Sequence, residues 1–496
     1  MGSIKRQGIG SGLFMYIGLI VGFANNLLFP RIIGEEVLGF TIWVSEMAEF
    51  LALLAGFGGN ISIIRFFPYF KDREKGHNGY LGFLFVVRTA GLVLTFILIL
   101  LFKELIINIY DRPGSREYIQ QYYPMLLVAL VLLIYSDLLE NYLSGLLRPR
   151  IPTFFRDVVA RLAGLTLIGL YFFHQISLEV FIIGYVSRLL VSVLGMLAFS
   201  YHIGELHRRM DWSIFRKPIF KEIVGYNFYS IFATLGSKIT TKIDILMIPA
   251  LLNLGAAGIY GVFSFFASVI IIPHNSMAKI TSPILSDAWK DRDFDKIQEL
   301  YRRTALDNFA VGVLIFVGIV INLDHIVTII GPQFEVGKYV AVFLGLGQLA
   351  HTANGYNGII LNYSPQYRYD LAFKIATAVL NIFTNLLFIR LYGIVGAAMA
   401  TALTIFTINC FTQWFVYHHF RMHPFSINML GVIGAGLFCL LIDHLIPSIQ
   451  VHFLLDLLLR SALVSILYAA LIVGLRIVPD IADFTKELWQ RYVLRK

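Results

Sequence analysis

The sequence predicts an all-α polytopic membrane protein of about 14 transmembrane helices: two parallel six-helix repeats plus two extra helices. Three observations predict it. Of the 496 residues, 57% are apolar and only 14% are charged, where soluble domains carry about 25% charge. Apolar stretches of the ~20 residues that cross a bilayer recur along the whole chain. Two sets of marker residues also return at constant displacements, which signals an internal duplication. The composition excludes a disordered chain, a collagen-like repeat and a disulfide scaffold.

The expected spans are 9–30, 39–64, 79–102, 120–147, 152–173 and 177–202, then 224–249, 256–285, 305–330, 339–362, 369–389 and 394–418, and last 427–446 and 453–475. The connections are too short to hold a folded soluble domain. The first span follows Lys5 and Arg6, as a signal peptide would, but no small-x-small cleavage site follows it. It is read as an uncleaved helix.

Loop charge sets orientation, because cytoplasmic segments retain Lys and Arg. With the N-terminus inside, cytoplasmic segments hold 25 Lys and Arg and the outer loops hold 6. Both termini are therefore expected in the cytoplasm. The +9 net charge then faces the anionic inner leaflet, and no nucleic acid is needed to explain it. The two cysteines, Cys410 and Cys439, lie in apolar spans, and no Cys/His cluster has metal-ligand spacing. His418, His419 and His423 read as interfacial polar residues. No cofactor or metal is expected.

The repeat begins with Pro30 to Gly39, matched by Pro249 to Gly258 before the next apolar span. Asn141, Gly145, Pro152, Asp157 and Arg161 recur as Asn354, Gly358, Pro365, Asp370 and Lys374, each displaced by 213. The pairs Asp157–Arg161 and Asp370–Lys374 are spaced i, i+4 and are read as structural ion pairs. Six spans per copy give both copies the same orientation, so the repeats are parallel. The expected organisation is an N-terminal six-helix lobe at 1–203, a cytoplasmic linker at 204–223 and a C-terminal six-helix lobe at 224–425. The last two transmembrane helices follow at 426–478, with a cytoplasmic amphipathic tail at 479–496. Phe294, Ile297 and Tyr301, and Ile481, Phe484, Leu488 and Tyr492 in the tail, recur at helical spacing and read as helices on the inner leaflet.

Ionisable residues inside spans cost ~2.5–3.5 kcal/mol each at a helix centre on insertion scales, so each should face a partner or water. Lys238 and Lys242 lie one turn apart near the middle of the seventh span, and Arg88 lies in the middle of the third. Glu46 and Glu49 share a face of the second span, and Asp137 and Glu140 a face of the fourth. Asp244 stands opposite Asn25 at a displacement of 219. Lys238, Lys242, Arg88, Asp244, Asn25, Glu46 and Glu49 are the candidate substrate-binding residues; the acids could instead pair with the bases. Arg156, Arg161 and Lys374 lie in first turns and can snorkel to the interface. Gly18 and Gly22 form a helix-packing pair.

Local marks give the chain a family outline. They are Gly56-Phe-Gly-Gly59, Ile64-Arg65-Phe-Phe-Pro68, Lys242-Ile-Asp244, Gly258-Ile-Tyr260-Gly261 and Gly393-Ile-Val-Gly396-Ala-Ala398. In that order the chain, over about residues 8–425, resembles the polysaccharide-biosynthesis (O-antigen, Wzx-type) flippases. These belong to the superfamily that also holds multidrug extruders and lipid II flippases. The resemblance implies a flippase that moves an undecaprenyl-diphosphate-type lipid-linked oligosaccharide from the inner to the outer leaflet, for cell-surface polysaccharide or lipopolysaccharide. It implies a bacterial plasma (inner) membrane, membrane lipid as a partner, alternating access between two lobes, and a coupling ion or other polysaccharide-assembly proteins as further partners. Three alternatives stand beside it. A multidrug or cation exporter would want acids at its centre. A lipid II-type flippase would share the anionic substrate and the two extra helices. A glycosyl polymerase or ligase would need a larger outer loop than 103–118, so an enzyme is not expected.

Overall fold

The computed structural model describes residues 2–57, 59–206, 212–213, 218–446, 453–483 and 485. Leu488 and Tyr492 of the expected tail helix, and Phe484, lie outside the described residues. Among those described, ten helical runs are long and apolar enough to cross a membrane. The chain divides into two compact units, residues 1–261 and 262–496.

The first unit opens with α1 (Gly2–Ile33), α2 (Glu35–Ala55) and α3 (Asn60–Phe70). Gly34, at φ 104°, makes the turn between α1 and α2, a backbone conformation that glycine adopts without Cβ strain. α4 (Tyr80–Leu101), the short α5 (Lys103–Ile109) and α6 (Ser115–Tyr122), and α7 (Pro124–Gly145) follow. The span expected at 152–173 is built in three pieces: α8 (Arg150–Thr153), a π-helical segment (Phe154–Val159) and α9 (Ala160–Phe172). The sixth span is α10 (Leu178–Ser187) and α11 (Leu189–His202), and the seventh is the 34-residue α12 (Pro218–Leu251). A core of Phe66, Phe67, Phe70, Tyr80, Phe83 and Tyr142 joins α3, α4 and α7.

α13 (Leu254–Ser268) begins in the first unit. There the two copies of the Pro-to-Gly motif meet. A Cβ on Gly39 would come within 1.7 Å of the Leu254 carbonyl, and one on Gly258 within 2.1 Å of the Glu35 carbonyl. Glu35 and Leu254 are themselves equivalent at the displacement of 219. The contact is thus reciprocal. Only glycine lets the backbones approach this closely.

The second unit continues with α14 (Ile272–Lys290), α15 (Phe294–Ile321), α16 (Leu323–Ile330), α17 (Gly337–Ala353) and α18 (Asn357–Tyr363). The run α19 (Tyr367–Phe420) is two helices. Gly393, at φ 61° and ψ −138°, turns the chain back on itself. The Thr384 and Thr404 hydroxyls then lie 3.2 Å apart, where 20 residues of straight helix would separate them by about 30 Å. α20 (Asn428–Leu445) and α21 (Phe453–Gly474) pack on α15 through Val432, Val464 and Tyr468, and the Tyr468 hydroxyl donates to the Ala310 carbonyl at 2.9 Å.

One expectation is corrected. Residues 294–303 do not form a separate helix on the leaflet surface. They are the first turns of α15, and Ile297 and Tyr301 are fully buried against Leu285, Tyr356 and Val416. Apolar spacing alone cannot tell a lipid-facing stripe from a protein-facing one.

Candidate functional site

Several charged residues of the spans converge in the first unit. α2 and α12 run antiparallel, so pairing partners descend along one helix as they ascend the other. Lys238 pairs with Glu49, and the Lys242 ammonium lies 2.5 Å from Glu46 Oε1. The spacing supplies the register: Glu46 and Glu49 are three residues apart, Lys238 and Lys242 four, and both separations place side chains on one helix face.

A second pairing joins α7 to the π-helical segment. Arg156 lies 2.5 Å from Glu140 and 3.5 Å from Asp137. Asp137 also interacts electrostatically with Arg88 and Glu49. Arg88 is almost wholly buried, and its guanidinium crosses the chain at Gly56, where a Cβ would meet Nη1 at 1.9 Å. Glycine at that position is what admits the arginine.

Four bases and four acids thus pair within one set, spread over α2, α4, α7, α12 and the π segment. Compensation of this kind offsets the cost of holding charge at membrane depth. The lysine pairs are not sealed. The side chains of Lys238 and Glu49 are 31% and 32% exposed.

The remaining candidates stand apart from this set. Asp244 is buried, takes the Tyr260 hydroxyl, and accepts from the Ile245 amide at 2.9 Å. It also acts electrostatically on Lys242. Asn25 donates to the Arg161 carbonyl at 3.0 Å and belongs to the packing of α1 on the fifth span. Asp157 and Arg161 lie 3.9 Å apart, and Arg161 donates to the Gly18 carbonyl at 2.6 Å. In the second unit the Lys374 ammonium is 2.6 Å from Asp370. Asn141 and Asn354 each donate to the carbonyl four residues back, at 2.7 and 2.8 Å.

Arg156, read as able to snorkel to the interface, pairs with Glu140, and Tyr260 carried no sequence signal as a partner of Asp244. The π turn accounts for the first. Its wider winding turns Arg156 toward α7 while Asp157 faces α1. Such turns concentrate at functional sites.

The sequence and the fold agree on kinship. A family model described as polysaccharide biosynthesis protein matches residues 6–289, which contain every charged residue of this set. The chain belongs to that family. A probable low-salt glycan biosynthesis flippase of Haloferax volcanii is 23% identical over 220 residues. That match covers 44% of this chain and 46% of the relative, so the chain spans about half of that relative's length. Among solved structures, the lipid II flippase MurJ in an inward closed conformation superposes with a TM-score of 0.74 at 16% identity, over 95% of this chain and 100% of that one. An inward-facing multidrug resistance MATE family transporter of the MOP superfamily gives a TM-score of 0.64 at 13% identity, over 82% and 94%. These likenesses fix the fold of this polysaccharide biosynthesis family member: an all-α, multi-pass membrane protein of the MurJ and MATE type.

Proposed function

We propose that this protein is a flippase that carries a lipid-diphosphate-linked oligosaccharide from the inner to the outer leaflet of the plasma membrane, with both termini cytoplasmic. The observation that carries the reading is the pair of ammonium groups, Lys238 and Lys242, one turn apart on α12 and each held by a carboxylate of α2. A diphosphate offers two adjacent anionic groups, the complement of two cations about 6 Å apart along a helix. Glu49 and Glu46 compensate the lysines in the empty site, and the diphosphate replaces them when substrate enters. The glycan biosynthesis role of the family and the named flippase relative support the substrate class.

Movement follows from the reciprocal contact of Gly39 and Gly258. Together with the Arg112 guanidinium on the Ala250 carbonyl at 2.9 Å, it closes the outer ends of α12 and α2. Opening that contact would expose the site to the other side, as alternating access between lobes 1–203 and 224–425 requires. An inside-negative membrane potential favours outward movement of an anion by ~2.3 kcal/mol per charge per 100 mV.

The test is reconstitution in liposomes with a fluorescent polyprenyl-diphosphate oligosaccharide and an impermeant reagent that reports outer-leaflet appearance. Lys238→Gln with Lys242→Gln should abolish flipping while the protein stays folded and inserted. Undiminished flipping by the double variant would refute the reading. Transport of a lipophilic cation instead would establish the exporter alternative.

A further inference from the structure

Next to the charged set lies an apolar slot that no part of the proposed head-group site uses. It has a volume of about 330 Å³ and is framed by the α2–α3 break, the first turns of α4 and the first turns of α12. All of it belongs to the first unit. Its walls are apolar, with Phe83, Leu84 and Ile223 buried, while Val224 and Phe228 leave one side open, 50% and 69% exposed. Four of its lining residues carry polar groups, Ser62, Tyr80, Arg88 and Asn227: Arg88 stands over Gly56, and Asn227 holds a buried Oδ1 without a partner beside Gly59.

The slot and the charged set lie in series on the same helix face. Counted at the helical angle, Phe220, Val224, Asn227, Ile231, Lys238 and Lys242 fall within about 60° of arc on α12. On α2, Glu46, Glu49 and Gly56 likewise share one side. The lining residues Phe220 to Ile231 span about 16 Å along the α12 axis, close to the ~15 Å of hydrocarbon in one leaflet. A ligand that fills both sections must therefore be an amphiphile: two anionic groups beside one leaflet's depth of hydrocarbon.

We infer that the slot seats the hydrocarbon chain of the same lipid diphosphate whose head Lys238 and Lys242 hold. This rests on the flippase reading above. The chain lies along α12 in the inner-leaflet half, and the diphosphate lies beyond the slot's end, at the lysines about 10 Å further along α12. Arg88, which lines the slot and acts electrostatically on Asp137 of the charged set, marks the junction between the two sections.

The experiment uses the full chain in phosphatidylcholine nanodiscs, with radiolabelled geranylgeranyl diphosphate as the lipid probe and inorganic pyrophosphate as the head-only probe. A photoreactive p-benzoylphenylalanine replaces exposed Val224, and a control replaces exposed Leu194 on α11. The label at position 224 should disappear with excess unlabelled geranylgeranyl diphosphate and persist with the same excess of phosphatidylglycerol. The label at 194 should respond to both alike. Filling the slot with Ile231→Trp should weaken geranylgeranyl diphosphate binding at least tenfold and leave pyrophosphate binding unchanged. Equal competition by phosphatidylglycerol at 224 would make the slot a seat for ordinary lipid and overturn the inference. An Ile231→Trp variant that weakens neither probe, or both alike, would also overturn it. Pyrophosphate binding that survives Lys238→Gln with Lys242→Gln would sink the head-group reading instead, and the competition at 224 would still decide the slot.

Discussion

Replacing Lys242 with Met removes the ammonium and keeps most of the side-chain volume. Glu46, whose side chain is 14% exposed, then faces its neighbour Glu49 with Lys238 as the remaining adjacent ammonium. Breaking a fully buried ion pair from one side costs about 3–5 kcal/mol. The Lys242 side chain is 38% exposed, so solvent screens the pair, and about 1–2 kcal/mol is the expected loss. Glu46→Gln should cost a similar amount by stranding Lys242. The double variant removes both charges at once, and its stability should return to within about 1 kcal/mol of the parent. The two single losses together exceed the double's by about 2–3 kcal/mol, a coupling inside the range for groups in direct contact. Equilibrium unfolding in mixed micelles, followed by tryptophan fluorescence, measures all four proteins. Single losses that add in the double variant to within about 0.5 kcal/mol would refute the pairing.

Two further outcomes follow from the packing. Gly258→Ala puts a Cβ 2.1 Å from the Glu35 carbonyl and should loosen the reciprocal glycine contact. A cysteine at Leu254, now 1% exposed, should then react with an impermeant maleimide several-fold faster than in the Gly258 parent; equal rates would show that the contact does not close that end. Tyr468→Phe deletes the hydrogen bond to the Ala310 carbonyl, which keeps its helical partner within α15. It should lower stability by about 1 kcal/mol, and no change in the unfolding midpoint would show that the bond contributes nothing.

The fold was legible in the sequence because lipid imposes a simple rule: long apolar runs must be helices that satisfy their own backbone. The recurrence of Gly39 at Gly258 was legible, and its physical reason is the close approach of two backbones. The identity of the charged set was legible too, since Lys238, Lys242, Glu46 and Glu49 are conspicuous inside apolar spans. Their pairing was not. It depends on the antiparallel register of α2 and α12, which no local pattern encodes. The facing of Arg156 was hidden by a π turn within an ordinary apolar stretch. The apolar slot was hidden for another reason: Phe83, Leu84, Ile223 and Val224 look like any residues of a span, and only three elements brought together make a cavity of them.

The pairing of bases with acids bears on how such a site can work at all. Unpaired cations at this depth would bind an anion tightly but would be costly while empty. Cations locked in sealed pairs would cost less and bind nothing. The arrangement found lies between these limits, because Glu49 and Glu46 hold the lysines in pairs that remain about a third open on the Lys238 side. The acids thus set the affinity as much as the bases do. Neutralising Glu46 and Glu49 together should tighten pyrophosphate binding and slow release, even though it removes no contact with the ligand. If the site carries an anion as proposed, it needs release as much as capture, and that requirement gives a physical reason for its carboxylates.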